Sequence, residues 1–237
     1  IDPKNSKYII DLASIMRDIG DLNSALRLCL KAIDITPEFS EAYSIKGVIE
    51  RDLGDFLQAK NSVLKAIQLN PSKGDYYLNL SAIYIDLGDL RIAEQTIKKS
   101  ISINSNSSEA YLNLGNILRD QEKLEEAAIS TRKAIELNPE LADAHSNLGG
   151  ILRDQGKLEE AEVSIRKAIK LDPNHSNAHS NLGGILRDHG KLNQAEISTR
   201  KAIELDPNSL IAYYNLGNIL RDLGKVEEAK LCSKKIM

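Results

Sequence analysis

Residues 142–175 read ADAHSNLGGILRDQGKLEEAEVSIRKAIKLDPNH, and residues 176–209 read SNAHSNLGGILRDHGKLNQAEISTRKAIELDPNS; the two stretches agree at 25 of 34 positions without a gap. Repetition at a fixed period decides a fold before any local propensity does. Sliding the same 34-residue frame in both directions gives repeats at 6–39, 40–73, 74–107, 108–141, 142–175, 176–209 and an incomplete 210–237, with no insertion between them.

Each repeat carries two helix-period patterns. In the first, apolar residues stand at repeat positions 3, 7, 10 and 14, the spacing of a buried helical stripe. Position 10 is Ile throughout, from Ile15 and Ile49 to Ile219, and position 15 is Gly in six of seven repeats, which predicts a helix stop. The second pattern opens on an apolar residue at position 17 (Leu158, Leu192) and runs through Ala at position 20 in every repeat (Ala25, Ala59, Ala93, Ala127, Ala161, Ala195, Ala229). It closes on an Asp-Pro or Asn-Pro step such as Asp172-Pro173, where proline disfavours helix in the residue before it. A small residue at position 8 (Gly47, Gly149, Gly183) facing Ala at position 20 predicts close approach of the two helices. No such pair buries its own apolar faces, so neighbours must stack.

A 34-residue helix-turn-helix with Leu-Gly at positions 7–8, Ala at 20 and 27 and Pro at 32 resembles the tetratricopeptide repeat, over essentially the whole chain. Local departures are Lys46 for Leu, Ser100 for Ala, Ser105 for Pro and Glu122 for the turn Gly. The resemblance implies an all-α, right-handed superhelical solenoid, the first helices lining a concave groove and the second helices facing outward. Residues 1–5 match the tail of an earlier repeat and the second pattern of the last repeat stops at Met237, so the chain reads as a piece of a longer array. An unfinished final helix, Val226 to Met237, predicts some end-to-end self-association.

Composition narrows the function. A formal net charge of −3 over 237 residues offers no basic footprint for nucleic acid, and no polybasic stretch suits an anionic membrane. No apolar run approaches the roughly 18 residues of a membrane span. Two distant cysteines, Cys29 and Cys232, make no disulfide framework, which suggests a reducing, cytoplasmic setting. No Ser-His-Asp set, phosphate loop or cysteine-histidine pairing stands out. His145 and His179 occupy position 4, where other repeats carry Tyr, and read as packed aromatic substitutes. His175 and His179 have i, i+4 spacing but no third ligand. The sequence therefore predicts neither enzyme chemistry, nor a cofactor, nor a metal.

The candidate site is the face formed by positions 2, 6, 9 and 13 of the first helices. Position 6 is Asn79, Asn113, Asn147, Asn181 and Asn215 in the last five repeats, preceded by Asp11 and Ile45. Position 9 adds Asn116 and Asn218, with Gly150 and Gly184 between, and position 13 is Asp in every repeat, including Asp120, Asp154 and Asp188. A carboxamide both donates and accepts, so a regular row of them suits the backbone of an extended peptide. The competing reading is that they serve helix packing or hydrogen bonds between repeats. The row also resembles the Asn ladder in the superhelix of the transferase that attaches O-linked N-acetylglucosamine to proteins, where an Asp stands four residues earlier, as in Asp75/Asn79 and Asp143/Asn147. That likeness keeps open a substrate-recruiting arm of a larger transferase; a self-assembling scaffold is the third reading. The carboxylate-gripping mode of chaperone-binding relatives does not fit, because position 2 is mostly acidic and position 6 is never basic. Arg at position 12 in six repeats, followed by Asp, predicts an inter-repeat salt ladder or, alternatively, an anion-binding row.

Overall fold

The computed structural model describes residues 5–236; the expectations resting on residues 1–4 and Met237 lie outside them. Among the described residues there are fourteen helices and no strand. The first helices of the repeats are α1 (Ser6–Asp18), α3 (Ser40–Asp52), α5 (Gly74–Asp86), α7 (Ser108–Asp120), α9 (Ala142–Asp154), α11 (Ser176–Asp188) and α13 (Leu210–Asp222). The second helices are α2 (Leu22–Ile35), α4 (Phe56–Leu69), α6 (Leu90–Ile103), α8 (Leu124–Leu137), α10 (Leu158–Leu171), α12 (Leu192–Leu205) and α14 (Val226–Ile236). This is the all-α repeat fold that the 34-residue period predicts.

The turn inside each repeat is made by one residue with positive φ. It is Gly20, Gly54, Gly88, Gly156, Gly190 or Gly224 in six repeats and Glu122, at φ 61°, in the fourth. That left-handed conformation costs a side chain-bearing residue roughly 1–2 kcal/mol, so Glu122 holds it against its own preference.

The entry to the second helix changes along the chain. Asp21, Asp55 and Asp89 cap α2, α4 and α6 by accepting from the backbone N–H of Ser24, Gln58 and Ile92. Lysine takes the capping place before α8, α10 and α12 and makes no cap bond. Instead α8 and α10 carry two glutamates each in the first turn, Glu125 and Glu126, Glu159 and Glu160, where the helix dipole favours negative charge. The first turn of α12 has neither device.

The chain divides into two compact units after Ile117. In the first, α1 packs on α2, α2 on α3, α3 on α4, α4 on α5 and α5 on α6. In the second, the order α8, α9, α10, α11, α12, α13, α14 is followed in the same way. Six of the seven position-10 isoleucines are fully buried, as are the alanines at position 20 from Ala25 to Ala195. Ile15 is the exception, 55% exposed, in the repeat that has no described helix pair before it.

The small residues at position 8 are there for space. A Cβ on Gly183 would lie 1.9 Å from Thr199 Oγ1, and one on Gly149 2.5 Å from the Ile165 side chain. Two departures from the repeat pattern compensate one another in the third repeat. Ser100 stands where Ala is usual and donates to the carbonyl of Gly74, 2.8 Å away, and a Cβ on Gly74, the first residue of α5 in the same repeat, would lie 3.3 Å from the Ser100 carbonyl oxygen. Both cysteines are buried, and burial pushes the Cys29 thiol up to about 12. No helix among the described residues is long and apolar enough to cross a membrane.

Candidate functional site

Positions 6 and 13 of the first helices are placed by a single geometric rule. A residue at position n of one repeat meets position n−1 of the repeat before it, an offset of 35 residues. At position 6 the rule joins asparagine to serine. Asn79 Nδ2 donates to Ser44 Oγ at 3.1 Å, Asn181 Nδ2 to Ser146 Oγ at 3.4 Å, and Asn215 Nδ2 to Ser180 Oγ at 3.0 Å. The serines are buried and the asparagines half-buried, so the Nδ2 side of each carboxamide is spent on the neighbouring repeat.

Asn113 differs, because the residue 35 positions earlier is Leu78, which offers no hydroxyl. Asn113 makes no hydrogen bond to the described residues; Asn147 keeps a side-chain interaction of its own. Asn113 and Asn79 line one recess of the first unit, of about 390 Å³. Its walls are Ile45, Val48, Leu78 and Ala82 with Arg17, Arg51 and Glu109 among them. The recess thus combines an apolar floor with two carboxamides and has charges at its margin.

At position 13 the same offset joins arginine to aspartate. Arg17 pairs with Asp52 and Arg51 with Asp86 in the first unit. In the second unit Arg119 Nε lies 2.7 Å from Asp154 Oδ2, and Arg153–Asp188 and Arg187–Asp222 are each 2.5 Å. The hydrogen bond that Arg187 donates to Asp222 holds its guanidinium above its ordinary value. Of the two readings of the arginine row, the ladder between repeats is the arrangement observed. Asp154 and Asp188 are thus rungs, whereas Asp120, preceded 35 residues earlier by Ile85, is exposed and has no ion-pair partner among the described residues. Each exposed rung contributes about 0–1 kcal/mol.

The glycines at position 9 belong to this ladder. A Cβ on Gly150 would stand 2.8 Å from Arg119 Nη1, and one on Gly184 2.5 Å from Arg153 Nη1. Glycine there lets the guanidinium cross the next helix on its way to aspartate, a role that the sequence pattern alone does not disclose. Asn218, at the same position, instead accepts from Arg221 Nη1 at 3.1 Å; Asn116 is half-buried on α7 and also has a partner. The position-4 aromatics reach the preceding loop: Tyr77 bonds the Pro71 carbonyl at 3.2 Å, and His145 and His179 bond those of Pro139 and Pro173 at 3.0 Å through Nε2. His175 faces elsewhere, its Nδ1 accepting from the Ala178 N–H and its Nε2 3.0 Å from Asp143, off the line of a good hydrogen bond.

The sequence model of the family described as Cilia and flagella-associated protein 70 C-terminal domain, a tetratricopeptide family, matches residues 10–235. The chain belongs to this family. No curated protein matches it. Among solved structures, this tetratricopeptide chain is similar to one in the crystal structure of the APC/C hetero-tetramer Cut9-Hcn1, with a TM-score of 0.83 at 18% identity over 92% of this chain. It spans only 44% of that chain. It is also similar to YrrB, described as a TPR protein with an unusual peptide-binding site (TM-score 0.56, 24% identity, 75% of this chain and 91% of that one). MamA is a third such structure (TM-score 0.58, 27% identity, 68% and 94%). At such identities the first two show the fold.

Proposed function

We propose that this chain is a protein-binding scaffold that holds an extended segment of a partner along its first helices through the position-6 carboxamides. The observation that carries the reading is Asn113. Its carboxamide has no hydrogen-bond partner among the described residues, yet it lines the same recess as Asn79 beside an apolar floor. A peptide group bonded there would use the donor and the acceptor together. The peptide-binding site named for YrrB supports a peptide ligand on this fold. The aspartates of the ladder stand beside the row and would set preference by charge, since electrostatics governs specificity and on-rate more than affinity.

The test is a panel of unrelated 12-residue peptides screened for binding, followed by Asn113→Ala and then Asn113→Ala/Asn147→Ala/Asn181→Ala. Backbone recognition predicts that ligands of different sequence weaken alike, by about 0.5–1.5 kcal/mol per lost hydrogen bond. Unchanged affinity in a folded triple variant overturns the carboxamide reading while leaving a binding scaffold of another kind.

A further inference from the structure

The second unit carries, on its second helices, an apolar row that plays no part in the site above. Position 22 is Ile129, Val163, Ile197 and Leu231 in the last four repeats, each 62–71% exposed. The first three repeats put Arg27, Asn61 and Gln95 there. Between successive second helices of this unit lie three equivalent grooves, related residue by residue through the 34-residue period, of about 380, 590 and 670 Å³. Each is floored by two leucines one helical turn apart: Leu148 and Leu152, Leu182 and Leu186, Leu216 and Leu220.

The three grooves differ in charge. In the outer two, an arginine on one wall meets a glutamate on the other. Arg132 lies 3.7 Å from Glu160, and Arg200 lies 2.7 Å from Glu228. In the middle groove, between α10 and α12, the glutamate is replaced by Gln194, so among the described residues Arg166 has no carboxylate across the groove and pairs along its own helix with Glu162. A second change falls at the same place. Position 29 is Glu136 and Glu204 in the neighbouring repeats but Lys170 here, and Lys170 has no ion-pair partner among the described residues. Lys201 adds a third cation to the lining, shared with Glu204, and no aspartate or glutamate lines this groove.

An apolar trough with leucines at one-turn spacing and a positive rim specifies its occupant. We infer that the groove between α10 and α12 docks an acidic amphipathic helix from a partner protein. Aliphatic side chains at i and i+4 of that helix lie over Leu182 and Leu186 between Ile169 and Ile197. Its carboxylates face Lys170 and Arg166. Helix-in-groove docking is read through such anchors. The lining of this groove includes none of the position-6 asparagines, so the two proposals stand or fall separately.

The probe is a fluorescein-labelled helical peptide of about 16 residues, four turns and more, with leucines at i and i+4 and glutamates flanking them. Its control carries lysines in place of the glutamates. The chain variants are Lys170→Glu and Gln194→Glu, singly and together, each installing the residue that a sister groove already holds, with circular dichroism confirming the fold. Anisotropy should show saturable binding of the acidic peptide, a loss of about tenfold in the double variant from reversed rim charge, and no change in Asn113→Ala. Ile197→Asp should weaken the same peptide. Equal binding of the two peptides, insensitivity to the double variant, or no binding at millimolar peptide overturns the inference. Sedimentation showing dimers of the unliganded chain that Ile197→Asp dissociates would assign the groove to a second copy and equally overturn it.

Discussion

Asn79 donates through Nδ2 to the hydroxyl of Ser44, 3.1 Å away and 35 residues earlier in the chain. The offset is one repeat plus one residue, and it is the offset that also brings Arg51 to Asp86 on the same two helices. Both bonds report one fact about packing: successive first helices stack with a one-residue slip. Where serine stands at position 5, the asparagine row is therefore tied to its neighbour and half committed to structure.

Asn79 and Asn113 then separate the structural from the binding share of the row. Asn79→Ala breaks the bond to a buried serine and should destabilise the chain by about 0.5–1.5 kcal/mol. Asn113→Ala breaks no bond within the described residues and should stay within about 0.5 kcal/mol of the parent. Urea unfolding of the two variants checks the difference, and equal losses would place Asn113 in a packing role.

Glu122 is the one residue other than glycine that turns a repeat with positive φ. Glu122→Gly removes a left-handed penalty of roughly 1–2 kcal/mol, less the added freedom that glycine brings to the unfolded chain. A net stabilisation of about 0.5–1 kcal/mol is expected. A thermal midpoint no higher than the parent's would mean that the Glu122 side chain makes compensating contacts.

Much of this was legible because the period multiplies each signal sevenfold. Glycine at position 15 marked the turns, and the one exception, Glu122, still turns at its expected place. The arginine-aspartate neighbours at positions 12 and 13 pointed to a ladder, though adjacent residues on one helix cannot reveal that each arginine bonds the aspartate of the following repeat. The link between asparagine and serine was hidden for the same reason: positions 5 and 6 of one repeat point apart, and only the slip between helices joins them. The grooves of the second helices do not show in the repeat pattern, because Leu182 falls in its apolar stripe at position 7 while Leu186 and Ile197, at positions 11 and 22, stand outside it. Comparing position 22 across all seven repeats would have exposed that row.

The glycines at position 8 are not equivalent. At Gly183 an added methyl would fall 1.9 Å from Thr199 Oγ1 and 3.2 Å from the Ala195 carbonyl, so the helix pair must open. At Gly217 it would sit 3.5 Å from Cys232 Cβ, an ordinary contact. Gly183→Ala should cost about 1–3 kcal/mol through overpacking, whereas Gly217→Ala should gain up to about 1 kcal/mol from helix propensity. Opposite shifts in the chemical-denaturation midpoint are the expected result; two shifts of the same sign would mean that the helix pairs adjust freely.

The second repeat replaces the leucines at positions 7 and 11 with Lys46 and Glu50. Both side chains are largely buried, 18% and 9% exposed, and the ammonium lies 2.5 Å from Glu50 Oε1. Ser62 completes the group, donating to Glu50 Oε2 at 2.6 Å and lying 2.9 Å from Lys46 Nζ. Every charged atom there has a partner, but the pair must still overcome the cost of leaving water. Removing one member strands the other, so Lys46→Leu should destabilise by about 3 kcal/mol, a low-end value because the site is not fully dry. Lys46→Leu/Glu50→Leu restores the pattern of the later repeats and should be neutral or more stable than the parent by about 1–2 kcal/mol. The decisive quantity is the coupling between the two substitutions in a double-mutant cycle. Strong coupling, with the single variant far below both parent and double variant, is expected. Additive losses would show instead that Lys46 and Glu50 contribute independently and that their ion pair carries no net coupling.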